Sequence, residues 1–188
     1  MTTGHVVLVG LMGAGKTTVG RRAAKALHRP FVDCDEAFVA RTGRTIAEVF
    51  ATDGEPGFRA LEAELVAELL AVPEPMVVAT GGGAVLDHRT RAALTAPGGP
   101  LVVWLRADPA FLAGRAQERA HRPLLAGADA AEVLARLAVE RHPLYAEVAD
   151  EVLDVASFHE WGTQPKKAMA ARIAALVEAR TDDQGSAA

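Results

Sequence analysis

Asparagine is absent from this chain of 188 residues, cysteine occurs once and lysine four times. Each scarcity excludes something. Without asparagine there is no Asn-Lys-x-Asp motif, through which a GTP-driven switch reads guanine. A single cysteine, Cys34, excludes an internal disulfide and a thiolate metal cage, and it fits a reducing cytoplasm. Four Lys and sixteen scattered Arg, with a net charge of −4, give no basic field for nucleic acid. No apolar run approaches the roughly 18 residues of a membrane span, and no charged-then-apolar leader opens the chain, so neither membrane insertion nor secretion is expected. What remains is an ordinary globular composition, 50% hydrophobic and 23% charged, enough for one domain with a sizeable core.

Against that background one segment is dense in meaning. Residues 10–17 read GLMGAGKT, the spacing G-x-x-x-x-G-K-[ST], between the apolar run HVVLV and a helix-compatible stretch over 18–27. This is a P-loop in its required context of strand, loop and helix. Its glycines let successive N–H groups face a polyphosphate, and the helix N-terminus adds unpaired donors. Gly13, Ala14, Gly15, Lys16, Thr17 and Thr18 are the candidate phosphate ligands, with Lys16 reaching the outer phosphates and Thr17 offering a hydroxyl to Mg²⁺.

Short apolar runs at 6–9, 31–32, 76–79, 101–105 and 152–155 read as buried strands. Helical patterns fill 16–27, 58–71, 87–95, 108–118, 130–147 and 165–179. The alternation predicts an α/β fold with a parallel sheet covered on both faces and ligands at the carboxyl ends of its strands. Residues 119–129 break the periodicity and read as a mobile loop, while 181–188 are small or polar and are expected to be disordered.

Chemistry-bearing residues cluster at those strand ends. Strand periodicity over FVDCD sends Asp33 and Asp35 to one side, where one acid could organise metal-bound water and the other accept a proton from an attacking hydroxyl. A helix cap at Asp35 is the plainer alternative. Gly81, Gly82 and Gly83 expose N–H groups where no side chain fits. Arg59 follows Gly57-Phe58 and could pair bidentately with a carboxylate, Arg122 sits in the irregular loop, Arg141 precedes HPLY, and Arg115 lies one turn before the loop. Any one of these arginines could equally be a surface charge.

Taken in order, residues 10–20 (GLMGAGKTTVG), 31–35 (FVDCD), 41–46 (RTGRTI), GEPGFRALE, 81–84 (GGGA), 122–127 (RPLLAG) and 141–145 (RHPLY) resemble the shikimate kinase family over about residues 5–155. The resemblance implies a single-domain P-loop NTPase fold of the nucleoside-monophosphate-kinase type, with three layers, a five-stranded parallel sheet and a mobile lid over about 117–129. It also implies transfer of the ATP γ-phosphoryl group to the 3-hydroxyl of shikimate, within aromatic amino-acid biosynthesis. Carried over by position, Thr17 coordinates Mg²⁺ and Asp33 holds it through water. Asp35 binds shikimate hydroxyls and is the candidate base. Arg59, Arg141, Gly81 and Gly82 grip the substrate, Arg122 is the lid arginine and Arg115 lies near adenine. Expected partners are ATP and shikimate in a monomer.

Two departures stand out. Cys34 occupies a position where the family usually has a small polar residue, with its side chain expected on the opposite face. Residues 156–164 (ASFHEWGTQ) form a longer connection than usual, carrying Phe158, an exposed His159, and Trp161, which could stack on adenine or pack on the surface. A gluconate-type or nucleotide kinase and a catalytically silent relative remain as alternatives.

Overall fold

The structure, a computed structural model, describes residues 4–117, 130–160 and 164–186, with the side chains of 115–117 and 182–186 outside the description. Five strands, β1 (Val6–Val9), β2 (Phe31–Asp33), β3 (Val77–Ala79), β4 (Leu101–Arg106) and β5 (Glu151–Asp154), form one sheet in the order β2-β3-β1-β4-β5. Every pairing is parallel, with Val6 opposite both Val77 and Leu101. β1 lies at the centre and is fully buried along its whole length, which is why it reads as an unbroken apolar run rather than an alternating one.

Helices α1 (Lys16–Ala26), α2 (Cys34–Thr42), α3 (Ile46–Ala71), α4 (His88–Leu94), α5 (Pro109–Gln117), α6 (Ala130–Val148), α7 (Val155–Glu160) and α8 (Pro165–Ser186) cover the sheet. The main core joins the sheet to α1, α5, α6 and α8. A smaller one, Phe38, Val49, Phe58 and Leu65, fastens α2 to α3, with the Phe58 ring 5.0 Å from Phe38 and 4.7 Å from Phe50. Two apolar clusters therefore fix two separate walls, and the space between them is the cavity described below.

The expected α/β architecture and all five strands are present, and the local differences lie at their ends and connections. The strand alternation that relates Asp35 to Asp33 stops at Asp33. Asp33 closes β2 and caps α2, accepting from the Asp35 backbone N–H at 3.0 Å, so Asp35 is a helical residue. Residues 46–53, to which the sequence pattern assigns no element, are helical, started by a reciprocal capping box between Thr45 and Glu48. The connection after β5 is the short helix α7, on which His159 is half-buried with its ring 5.2 Å from Phe111, rather than an exposed loop residue. α8 runs on to Ser186 beyond the expected start of a disordered tail at 181. The Thr181 hydroxyl donates back to the Val177 carbonyl at 2.9 Å, and an established helix propagates cheaply.

Candidate active site

The P-loop turns from β1 into α1. Gly15 caps α1 at φ 103°, a conformation that side chains rarely adopt, and this lets the following N–H groups open outward together. Lys16 is folded along the loop, its Nζ donating to the Gly10 carbonyl at 2.7 Å and the Leu11 carbonyl at 3.1 Å. Thr17 Oγ1 donates to Asp33 Oδ2 at 2.7 Å, while Asp33 Oδ1 takes the Asp35 N–H. A hydroxyl and a carboxylate side by side are hard oxygen donors, the kind Mg²⁺ prefers.

Next to the loop lies a cavity of about 900 Å³. Asp35, Arg59, Glu62 and Gly81–83 line one side, Phe50 and Phe58 add an aromatic wall, and Arg136 and Arg141 face them from α6. Asp35 is reachable by solvent yet ringed by protein. That desolvation, reinforced by the charge of Asp33, pushes its carboxyl above the usual carboxylate range, while Lys16 and Arg59 pull it back. Arg59 Nη1 donates to Glu62 Oε2 at 2.6 Å, and Nη2 reaches Glu55 Oε1 at 3.1 Å. Glu62 is buried, and desolvation raises its pKa against the opposing pull of Arg59. Arg141 is buried with its Nε 3.4 Å from Glu140 Oε2.

The triple glycine is explained by its neighbours. A methyl group on Gly81 would run into Glu62 Oε1, and one on Gly83 into the Arg59 guanidinium. The Gly82 carbonyl accepts from the Tyr145 hydroxyl at 2.5 Å, a bond from the core of α6 to the glycine turn. Cys34 is buried in the main core and is not among the residues that line the cavity, and burial holds its thiol protonated.

Asp35, Arg59, Gly81, Gly82 and Arg141 thus line one cavity, which touches the phosphate loop at Met12, while Asp33 joins Thr17 of that loop to Asp35 by hydrogen bonds. Arg115 is on the last turn of α5 with its side chain outside the described residues, as are Arg122, Trp161 and most of the expected lid. Sequence reasoning passed over Glu62 and Tyr145. Glu62 stands one turn after Arg59 within GEPGFRALE, the pattern of a solvated i,i+3 pair. Tyr145 had a signal in RHPLY that was read for its arginine alone.

A phosphate-cradling loop beside an acid-and-arginine cavity, at the carboxyl ends of a five-stranded parallel sheet, defines a P-loop small-molecule kinase. The family model described as shikimate kinase matches residues 12–177. A shikimate kinase of Symbiobacterium thermophilum is 50% identical over 147 residues, 77% of this chain and 83% of its own. One from Paramagnetospirillum magneticum is 49% identical over 149 residues, 79% of this chain and 74% of its own. The solved structure of shikimate kinase from Acinetobacter baumannii in complex with shikimate superposes with a TM-score of 0.81 at 35% identity, covering 94% of this chain and 93% of that one. The chain belongs to the shikimate kinase family. A gluconokinase from Sinorhizobium meliloti shares the fold, with a TM-score of 0.59 and 23% identity.

Proposed function

We propose that this protein transfers the γ-phosphoryl group of ATP to the 3-hydroxyl of shikimate, giving shikimate 3-phosphate and ADP. The observation that carries this reading is the pairing, across one cavity next to the P-loop, of a carboxylate that can accept hydroxyl protons with two guanidiniums that can hold a carboxylate. Shikimate is a small anion with vicinal hydroxyls, and it needs both. Membership of a family whose relatives carry that activity in their names adds to it.

Arg59 and Arg141 grip the substrate carboxylate, with N–H groups of the Gly81–82 turn beside them. Glu62 keeps the Arg59 guanidinium aimed at the cavity. Asp35 accepts the hydroxyl hydrogen bonds and takes the proton as the oxygen attacks. Gly13 to Thr18 cradle the β- and γ-phosphates, and Lys16 leaves its loop carbonyls to pair with the transferring group. Thr17 and Asp33 fit a divalent ion by their adjoining oxygen donors, Thr17 as direct ligand and Asp33 through water. Such an ion, when bound, offsets the phosphate charge. Arg122 as lid arginine, Arg115 near adenine, and residues 117–129 as the lid are assigned by the family pattern. The same pattern supports a cytoplasmic monomer, and no described helix is long and apolar enough to cross a membrane.

The test is coupled ADP release with Mg·ATP, offering shikimate, gluconate, AMP or no acceptor, for wild type and Asp35→Asn. Shikimate-dependent release that drops by about 10²-fold or more in the variant is expected. Because Asp35 must be ionised to act, kcat/KM should fall as pH drops through its raised pKa. Release indifferent to shikimate would leave the P-loop standing and overturn the substrate.

A further inference from the structure

Two of the arginines that face the cavity, Arg59 and Arg141, already hold carboxylates of this chain. Arg59 is engaged along two edges. Its Nη1 bonds Glu62, while Nη2 and Nε converge on a single oxygen, Glu55 Oε1, at 3.1 and 3.3 Å. The Nε–Nη2 edge is one that a carboxylate can fill with two parallel bonds, and Glu55 fills it with one oxygen. Arg141 repeats the arrangement more loosely, its Nε 3.4 Å from Glu140 Oε2.

The resident acids differ in their surroundings. The Glu62 side chain is 4% exposed, whereas those of Glu55 and Glu140 are 53% and 52% exposed. Pulling Glu62 from Arg59 would strand a buried charge. Glu55 and Glu140 can turn into water with little loss, because exposed ion pairs are weak. All three acids line the same cavity as the arginines, so an anion arriving there meets two that yield and one that stays.

We propose that Glu55 is a stand-in for the substrate's carboxylate, with Glu140 as its counterpart on the opposite wall. It keeps the Nε–Nη2 edge of Arg59 aligned while the cavity holds no substrate, and it surrenders that edge to the incoming carboxylate. Glu62 grips the other edge throughout. The proposal rests on the reading that the substrate is shikimate and deepens it by dividing the acids into positioning and competing groups. A competitor has an unusual signature: removing its charge improves substrate binding.

The experiment compares wild type, Glu55→Gln, Asp53→Asn and Glu62→Gln by ADP release at varied shikimate and by calorimetric titration of shikimate without nucleotide. Glu55→Gln should lower KM and Kd for shikimate by about two- to fivefold, the scale of an exposed ion pair, with kcat and the KM for ATP unchanged. Asp53→Asn removes the same charge two residues away, where it pairs with Arg44, and should leave both constants unaltered. Glu62→Gln should raise them. Glu55 sits just past the Gly54 break in α3, where its charge favours the helical segment that follows, so Glu55→Gln loosens the fold slightly and tighter binding cannot come from added stability. Unchanged or weaker binding by Glu55→Gln, or an equal gain by Asp53→Asn, overturns the proposal while the substrate reading stands. A wild-type enzyme that neither binds nor turns over shikimate overturns both.

Discussion

Asp35 and Glu62 are held in a state that water would not choose. Each carboxyl binds its proton more tightly in the folded protein than in the unfolded chain, so each contributes stability at low pH that is lost as pH rises from the ordinary carboxylate value through its raised one. At neutral pH both are a burden on the fold. Asp35→Asn should therefore melt at a higher temperature than wild type at neutral pH while losing turnover, and the gap should close in mild acid. Thermal unfolding at the two pH values reads this directly, and a variant less stable at neutral pH would contradict it. The same pair marks the reach of sequence at this scale. Asp35 was legible because an acid at a strand's carboxyl end beside a P-loop has few other uses. Glu62 was not, because the space it occupies is left by the missing side chain at Gly81, which lies beyond the end of the helical pattern that contains Glu62.

Among the elements, α3 carries the most consequence. Gly54 breaks it at φ 70°, ψ 179°, a backbone region essentially reserved for glycine. Before the break Val49 and Phe50 build the small aromatic cluster; after it Glu55, Arg59 and Glu62 point at the cavity. Gly54→Ala should destabilise the protein by about 1–3 kcal/mol. It should also raise the KM for shikimate more than that for ATP, since the P-loop lies on other elements. Denaturant unfolding together with the two KM values would check it. Strands were legible because five buried runs separated by helical patterns admit few topologies. α2 was hidden because Asp33 both ends a strand and caps a helix within FVDCD, where alternation continues for two residues after the strand has stopped. The break at Gly54 and the half-helix before it were missed for a related reason: Thr45 with Glu48 is a start signal, but the glycine and proline that follow read as loop.

At the scale of the whole molecule, the sheet order brings β1, β3 and β2 side by side, so the loop from β1, the glycine turn from β3 and the acids from β2 share one rim. Asp33 is the point where they meet. One of its oxygens takes the Thr17 hydroxyl on the nucleotide side; the other takes the N–H of Asp35 on the acceptor side. On the proposed assignment a single carboxylate straddles the seats of donor and acceptor, so that ordering it for one partner orders it for the other. Thermodynamic reciprocity then demands that the two ligands speak to each other with equal force: the factor by which a non-hydrolysable ATP analogue with Mg²⁺ tightens shikimate must equal the factor by which shikimate tightens the analogue. Calorimetric titrations in both orders should return a factor above one in wild type and a factor near one in Asp33→Asn. The dialogue between the two substrates would then reside in two oxygens on one short side chain.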